Sequence, residues 1–258
     1  MPDLLLEIGV EELPASACRE ALAQLHELCR KHVGVEPTKV MVGPRRLALV
    51  VEQLPARTAD SWIKGPPATM NEKAIEGFAR KHGKAPADLV ERDGFLGVAV
   101  EGRPMGDVLP DILAEIVKGI SFGKSMTWRA GGMRFSRPLR WLVAKLDSQT
   151  IPFEVDGVIA SHFTFGHRFT HGQLEIFDTG AYEGYLRNAR VEPDHVARRA
   201  DIVRQLDAVG PWSDPLGKLE EVLYLVESPT VVVGEFHERF LALPPKVVET
   251  AMQAHQRY

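Results

Sequence analysis

Apolar and polar positions alternate with two different periods along the chain, and the switch points outline its elements. Residues 3–9 carry Leu4, Leu5, Leu6 and Ile8 in a short run that predicts a strand, leading into a turn at Glu11-Glu12-Leu13-Pro14. Cys18, Ala21, Leu22, Leu25, Leu28, Cys29 and Val33 follow at helical spacing, and Gly34 supplies the stop. Lys39–Val42 and residues 47–51 predict two strands joined across Gly43-Pro44-Arg45-Arg46 as a hairpin. Gly65-Pro66-Pro67 predicts a loop, residues 72–82 a short helix, Phe95–Val100 a strand and residues 108–120 a helix. From Leu139 to Phe177 the pattern is strand-like, punctuated by Gly157, Gly166 and Gly172.

Beyond Asp178 the pattern turns helical. Residues 181–187 and 195–206 predict helices. Asp214-Pro215 reads as the start of another, with Leu216, Leu219, Val222, Leu223 and Val226 on one face. Residues 230–233 predict a buried strand. A last helix carries Val247, Val248, Ala251 and Met252 and reaches Tyr258 with no Gly, Asn or Pro stop, so the chain is expected to be the front part of a longer one. The fold class expected is mixed α/β (α+β). Residues 1–178 would form a largely antiparallel sheet with packed helices, and residues 179–258 a smaller, mostly helical lobe.

Composition narrows the class. With 258 residues, 45% hydrophobic and 26% charged, the chain is neither disordered, collagen-like nor a coiled coil. Net charge is 31 − 35 = −4, so no global basic field advertises a nucleic-acid partner. Cys18 and Cys29 lie about 16 Å apart along one helix, too far for a disulfide, which fits a reducing compartment. The apolar run at Leu4–Leu6 is too short for a signal peptide, and no stretch approaches a membrane span. A cytoplasmic protein with no membrane partner is expected.

Most candidate chemistry has a plainer explanation. Gly119 to Ser125 (GISFGKS) resembles a phosphate loop but has three residues between its glycines where four are needed, and it follows a helix instead of a strand. His162, His167 and His171 have a ligand-like spacing, yet residues five apart on a strand face opposite sides, and no carboxylate lies nearby in sequence to orient them. Glu11-Glu12 and Glu220-Glu221 sit where helix starts favour acids, and Asp3 and Glu7 read as charges flanking a strand. No catalytic constellation and no metal site is expected on this chain.

One charge feature stands apart. Between Ile116 and Leu146 there are seven basic residues and no acidic one: Lys118, Lys124, Arg129, Arg134, Arg137, Arg140 and Lys145. Trp128, Phe135 and Trp141 are interleaved. Basic residues with interleaved aromatics suit contact with a polynucleotide backbone, and Arg45, Arg46 and Lys64, expected on loops, would add to it. A solvated face neutralised by acids elsewhere in the fold is the alternative.

Several segments in order resemble one family. Residues 4–14 (LLLEIGVEELP), 44–48 (PRRLA), 64–66 (KGP), 134–141 (RFSRPLRW) and 166–169 (GHRF) are similar to signatures of the β subunit of bacterial heterotetrameric glycyl-tRNA synthetase. A long block continues the likeness: residues 219–222 (LEEV), 226–230 (VESPT), 234–236 (GEF), 240–244 (FLALP) and 255–258 (HQRY). Lys64 stands where the family favours arginine, which keeps charge but loses the bidentate fork, and His162 where arginine is common. The family's β subunit is more than twice as long, continuing through an HD-like and an anticodon-binding domain. This chain has no His-Asp dipeptide.

The resemblance implies a division of labour. The family's α subunit makes glycyl-adenylate from glycine, ATP and magnesium. The β subunit supports recognition of glycine tRNA in an α2β2 assembly. ATP and magnesium are thus expected at the α subunit, with no cofactor on this chain, which alone would be inactive. Lys124, Arg129, Arg134, Arg137, Arg140, Arg45, Arg46 and Lys64 become the expected tRNA contacts. Two other classes stand beside this one: a free-standing tRNA-binding module with no α partner, and a histidine-based metallohydrolase.

Overall fold

The structure, a computed structural model, describes residues 1–256, with side chains through residue 254. The end of the last predicted helix at Tyr258 therefore lies outside the described residues, as does the end of the HQRY segment. In chain order the strands are β1 (Leu4–Val10), β2 (Lys39–Val42), β3 (Arg46–Val51), β4 (Ser61–Pro67), β5 (Val90–Arg92), β6 (Phe95–Val100) and β7 (Met126–Thr127). They continue as β8 (Arg134–Phe135), β9 (Leu139–Leu146), β10 (Gln149–Thr150), β11 (Glu154–Val155), β12 (Val158–Ser161), β13 (Phe163–Phe165) and β14 (Gln173–Glu175). The helices are α1 (Ala15–His32), α2 (Glu72–Lys81), α3 (Met105–Gly119), α4 (Tyr182–Asn188), α5 (His195–Val209), α6 (Lys218–Val222) and α7 (Pro245–Thr250).

Two compact units result, one formed by residues 1–54 with residue 109 onward and the other by residues 55–108. The first is built on a sheet of order β11-β12-β9-β1-β3-β2, antiparallel except for β12 against β9, with β10 added to β9. β1 is its central strand and is buried at every position, because β3 and β9 flank it and both faces are covered. Alternation sends Leu5, Glu7 and Gly9 to one face. There Leu5 joins a core of Met41, Ala48, Trp141, Val143, Ile176, Tyr182, Leu186 and Val191. Residue 178 lies inside this unit, and Tyr182 and Leu186 of α4 are part of its core. Gly9 faces the Trp141 indole so closely that a Cβ would lie 1.9 Å from the ring. That position has room only for hydrogen.

α1 runs from Pro14 to a stop at Val33 and Gly34, with Gly34 at φ +91°. Its Cys18 and Cys29 are buried and unpaired. Burial pushes both thiols up to about 12, so neither is a nucleophile near neutral pH. α5 is held by Arg198, which is 1% exposed. Its guanidinium donates to the carbonyls of Val42 (2.7 Å), Glu192 (2.6 Å) and Leu223 (3.0 Å).

The second unit is a three-stranded antiparallel sheet of order β4-β6-β5 with α2 beside it. Here Gly65-Pro66-Pro67 is the end of β4 and not a loop. β4 is an edge strand with a register shift between Lys64 and Pro67, so the prolines' missing N–H groups leave no ladder position unmade.

Two other expectations are corrected. Residues 230–233 form no strand, and Val232 and Val233 are 76% and 68% exposed. Asp214 does not begin a helix directly. α6 starts at Lys218, and Asp214 caps it from outside by accepting the Lys218 and Leu219 N–H groups at 2.6 and 2.8 Å. Among the described residues no helix is long and apolar enough to cross a membrane.

Candidate functional site

The face of the main sheet to which Glu7 of β1 points carries a buried charge network. Glu7, fully buried, accepts from the Trp141 indole N–H and the Thr164 hydroxyl, both at 2.6 Å. Arg46, 1% exposed, lies 3.5 Å from Glu7 and donates through Nε and one terminal nitrogen to Glu227 at 3.1 and 3.0 Å. It also donates to the Phe165 carbonyl at 2.7 Å. Burial works against the Arg46 charge, but Glu227 and Glu7 outweigh it and raise its pKa above the ordinary guanidinium value. Arg45 reaches Glu227 at 3.3 Å and the Gly166 carbonyl at 3.2 Å, and its guanidinium lies 5.6 Å from the Trp141 ring centre. Two guanidiniums thus face two carboxylates out of water.

Directly outside this network is a cleft of about 190 Å³ lined by Val10, Glu11, Arg45, Arg140, Trp141, Phe165 and Arg168. Arg168 donates to Glu12 at 2.6 Å and Glu11 at 3.0 Å, and Arg140 Nε stands 3.3 Å from Glu11. Three guanidiniums therefore line one opening, together with the Glu11 carboxylate that pairs with two of them.

The eight predicted contact residues divide by place. Arg46 is corrected: it is a β3 residue sealed in the interior and not a loop cation. Arg45 does sit in the turn before β3, but largely buried against Glu227. Lys64 belongs to the second unit, where its ammonium lies 3.4 Å from the Phe95 ring centre. Arg137 is half-buried and donates to the Glu12 and Ser136 carbonyls. Lys124, Arg129, Arg134 and Arg140 are exposed. Arg129 donates to the Asp156 carbonyl and Arg134 to Ser125, neutral partners that leave the cationic charge uncancelled. Among the described residues no carboxylate pairs with Lys124, Arg129, Arg134 or Arg137. Lys145, by contrast, is buried, and Lys118 pairs with Glu115.

Other candidates fall elsewhere. The GISFGKS segment links α3 to β7, and its Gly123 N–H is bonded to Glu20 at 2.8 Å. His162 has a carboxylate after all, Glu175 at 3.3 Å across the β13–β14 hairpin. His167 and His171 both meet the Thr170 hydroxyl instead. Glu11 and Glu12 are more than helix-start acids, since they anchor Arg140 and Arg168.

Sequence reading missed Glu7, Glu227, Thr164 and Arg168. One signal was present. Glu7, Arg45, Arg46, Trp141, Arg168 and Glu227 come from five of the segments singled out in the sequence, Arg45 and Arg46 sharing one, and the fold brings those segments to one place. The sequence model of the glycyl-tRNA synthetase β subunit matches residues 4–258. This chain belongs to that family. Glycine–tRNA ligase β subunits of Thermotoga maritima, Syntrophotalea carbinolica and Phenylobacterium zucineum are 34%, 37% and 37% identical to it. The matches cover 100%, 99% and 100% of the chain. It spans about 41% of the length of each of those relatives. In this glycyl-tRNA synthetase β-subunit family member, all of these converging segments lie within the residues that the family model matches.

Proposed function

We propose that the chain is the N-terminal region of a glycine–tRNA ligase β subunit that contacts glycine tRNA and assembles with a catalytic α subunit in an α2β2 enzyme. Glycine activation with ATP and magnesium belongs to the α subunit, and this chain contributes no adenylation site. The observation that carries the tRNA part is the set of uncancelled cations: Lys124, Arg129 and Arg134 are exposed with no carboxylate partner among the described residues, in a chain of net charge −4. Phosphate binding by such side chains releases counterions, so affinity should fall steeply with salt.

The test is equilibrium binding of labelled glycine tRNA at about 50 and 200 mM salt. The Lys124→Ala/Arg134→Ala variant should bind more weakly, with a salt dependence reduced by about two phosphate contacts, at unchanged thermal stability. Absence of binding at the lower salt would remove tRNA contact from this region and leave it as a scaffold or a dock for the α subunit.

A further inference from the structure

We infer that the turn between β13 and β14, with the cleft beside it, binds an unpaired nucleotide of RNA, Phe169 stacking on the base and the cleft arginines holding the phosphate. The inference rests on the tRNA-contacting role proposed above and names the part of the RNA concerned.

Phe169 is 87% exposed at the tip of this turn. An exposed phenylalanine alone means little, but here the turn is pinned on both sides of it. The Gly166 N–H donates to the Gly172 carbonyl at 3.0 Å, the His167 N–H to Ala189 at 3.0 Å and the His171 N–H back to His167 at 2.9 Å. Arg45 holds the Gly166 carbonyl, and Arg168 is clamped by Glu11 and Glu12. The ring is thus held out in water by a turn already ordered, so stacking on it costs little further conformational entropy. Among the described residues the His167 ring is the one aromatic neighbour, 6.0 Å between centres and tilted, and the Phe169 ring stays largely in water.

The adjoining cleft supplies the other half. At about 190 Å³ it is smaller than pockets for drug-sized ligands, about 300–1,000 Å³, and suits one phosphate group. Arg140 is exposed and pairs with Glu11 at 3.3 Å, and no other ion pair engages its guanidinium among the described residues. An aromatic platform next to an exposed guanidinium is the arrangement that takes single-stranded RNA, whose bases are not already stacked. A paired helix would present its bases edge-on and closed to Phe169.

Binding of labelled oligoadenylate, single-stranded and as a duplex with oligouridylate, tests this, beside glycine tRNA. The single strand should bind more tightly than the duplex. Phe169→Ala should weaken it roughly tenfold, as loss of one stacked base does, while Phe169→Tyr restores it. Arg140→Ala should weaken it and flatten the salt dependence by about one phosphate. With Phe169 in water, thermal melting of Phe169→Ala should match the parent. Equal affinity for duplex and single strand, or an unchanged affinity in Phe169→Ala, would overturn the inference even where glycine tRNA still binds, leaving the broader reading intact. Loss of α-subunit assembly in Phe169→Ala with RNA binding unchanged would overturn it too, in favour of a protein contact. No binding of any RNA would remove both.

Discussion

Glu7 lies two residues from Leu5 on a strand, and that spacing puts both side chains on the same buried face. A carboxylate there is tolerable only because Trp141, Thr164 and Arg46 converge on it. Removing the cation should be costly: Arg46→Met leaves Glu7 buried without a counter-charge and Glu227 with Arg45 alone, and urea unfolding should report a loss of about 3–5 kcal/mol. Adding Glu7→Gln and Glu227→Gln should recover much of that loss, since neutral amides need no counter-ion. A change below about 1 kcal/mol in the single variant would show the network relaxed by water. None of the partners lies near Glu7 in sequence, which is why the residue reads from sequence as an ordinary flanking charge. Trp141 is 134 positions away and Thr164 157.

Elements were legible where local periodicity and turn chemistry agreed. The strand, helix and hairpin of residues 3–51 follow their pattern closely, except that β3 begins one residue early and takes Arg46 out of the turn. Residues 230–233 misled because a short apolar run is a strand only if a neighbour pairs with it, and none does. α5 illustrates an element seated by polar groups. Asp194 caps it by accepting the Val196 N–H at 2.9 Å and pairs with Lys39 at 2.9 Å. Next to it, burial lowers the pKa of His195, with Arg198 and Lys39 adding to that and Asp194 and Glu220 opposing it. A histidine depressed on folding is held neutral, so the unfolded chain takes up the proton first and stability falls as pH drops below about 6.5. The decline between about pH 7 and 5, followed by urea midpoints, should flatten in His195→Gln. Asp194, whose pKa is held low against burial by Lys39 and the helix N–H groups, extends the loss to more acidic pH through its folded value.

At the scale of the whole molecule, the two buried thiols of α1 report on the first unit alone. Ellman's reagent should find neither in the native protein, and their labelling in rising urea should follow the unfolding of the main sheet. Labelling well before that transition would mean that α1 opens separately. The mixed α/β class, the antiparallel hairpins, the unpaired cysteines and the family were all readable from residues 1–258 in order, since each rests on local spacing or on short runs of residue types. Folding alone decided which basic residues face water, because burial depends on what lands beside a side chain: Arg46 and Lys145 went inside, Lys124, Arg129 and Arg134 stayed out. It also decided that Glu227 should close on Arg46 across 181 residues, since a charge takes its partner from space and not from sequence.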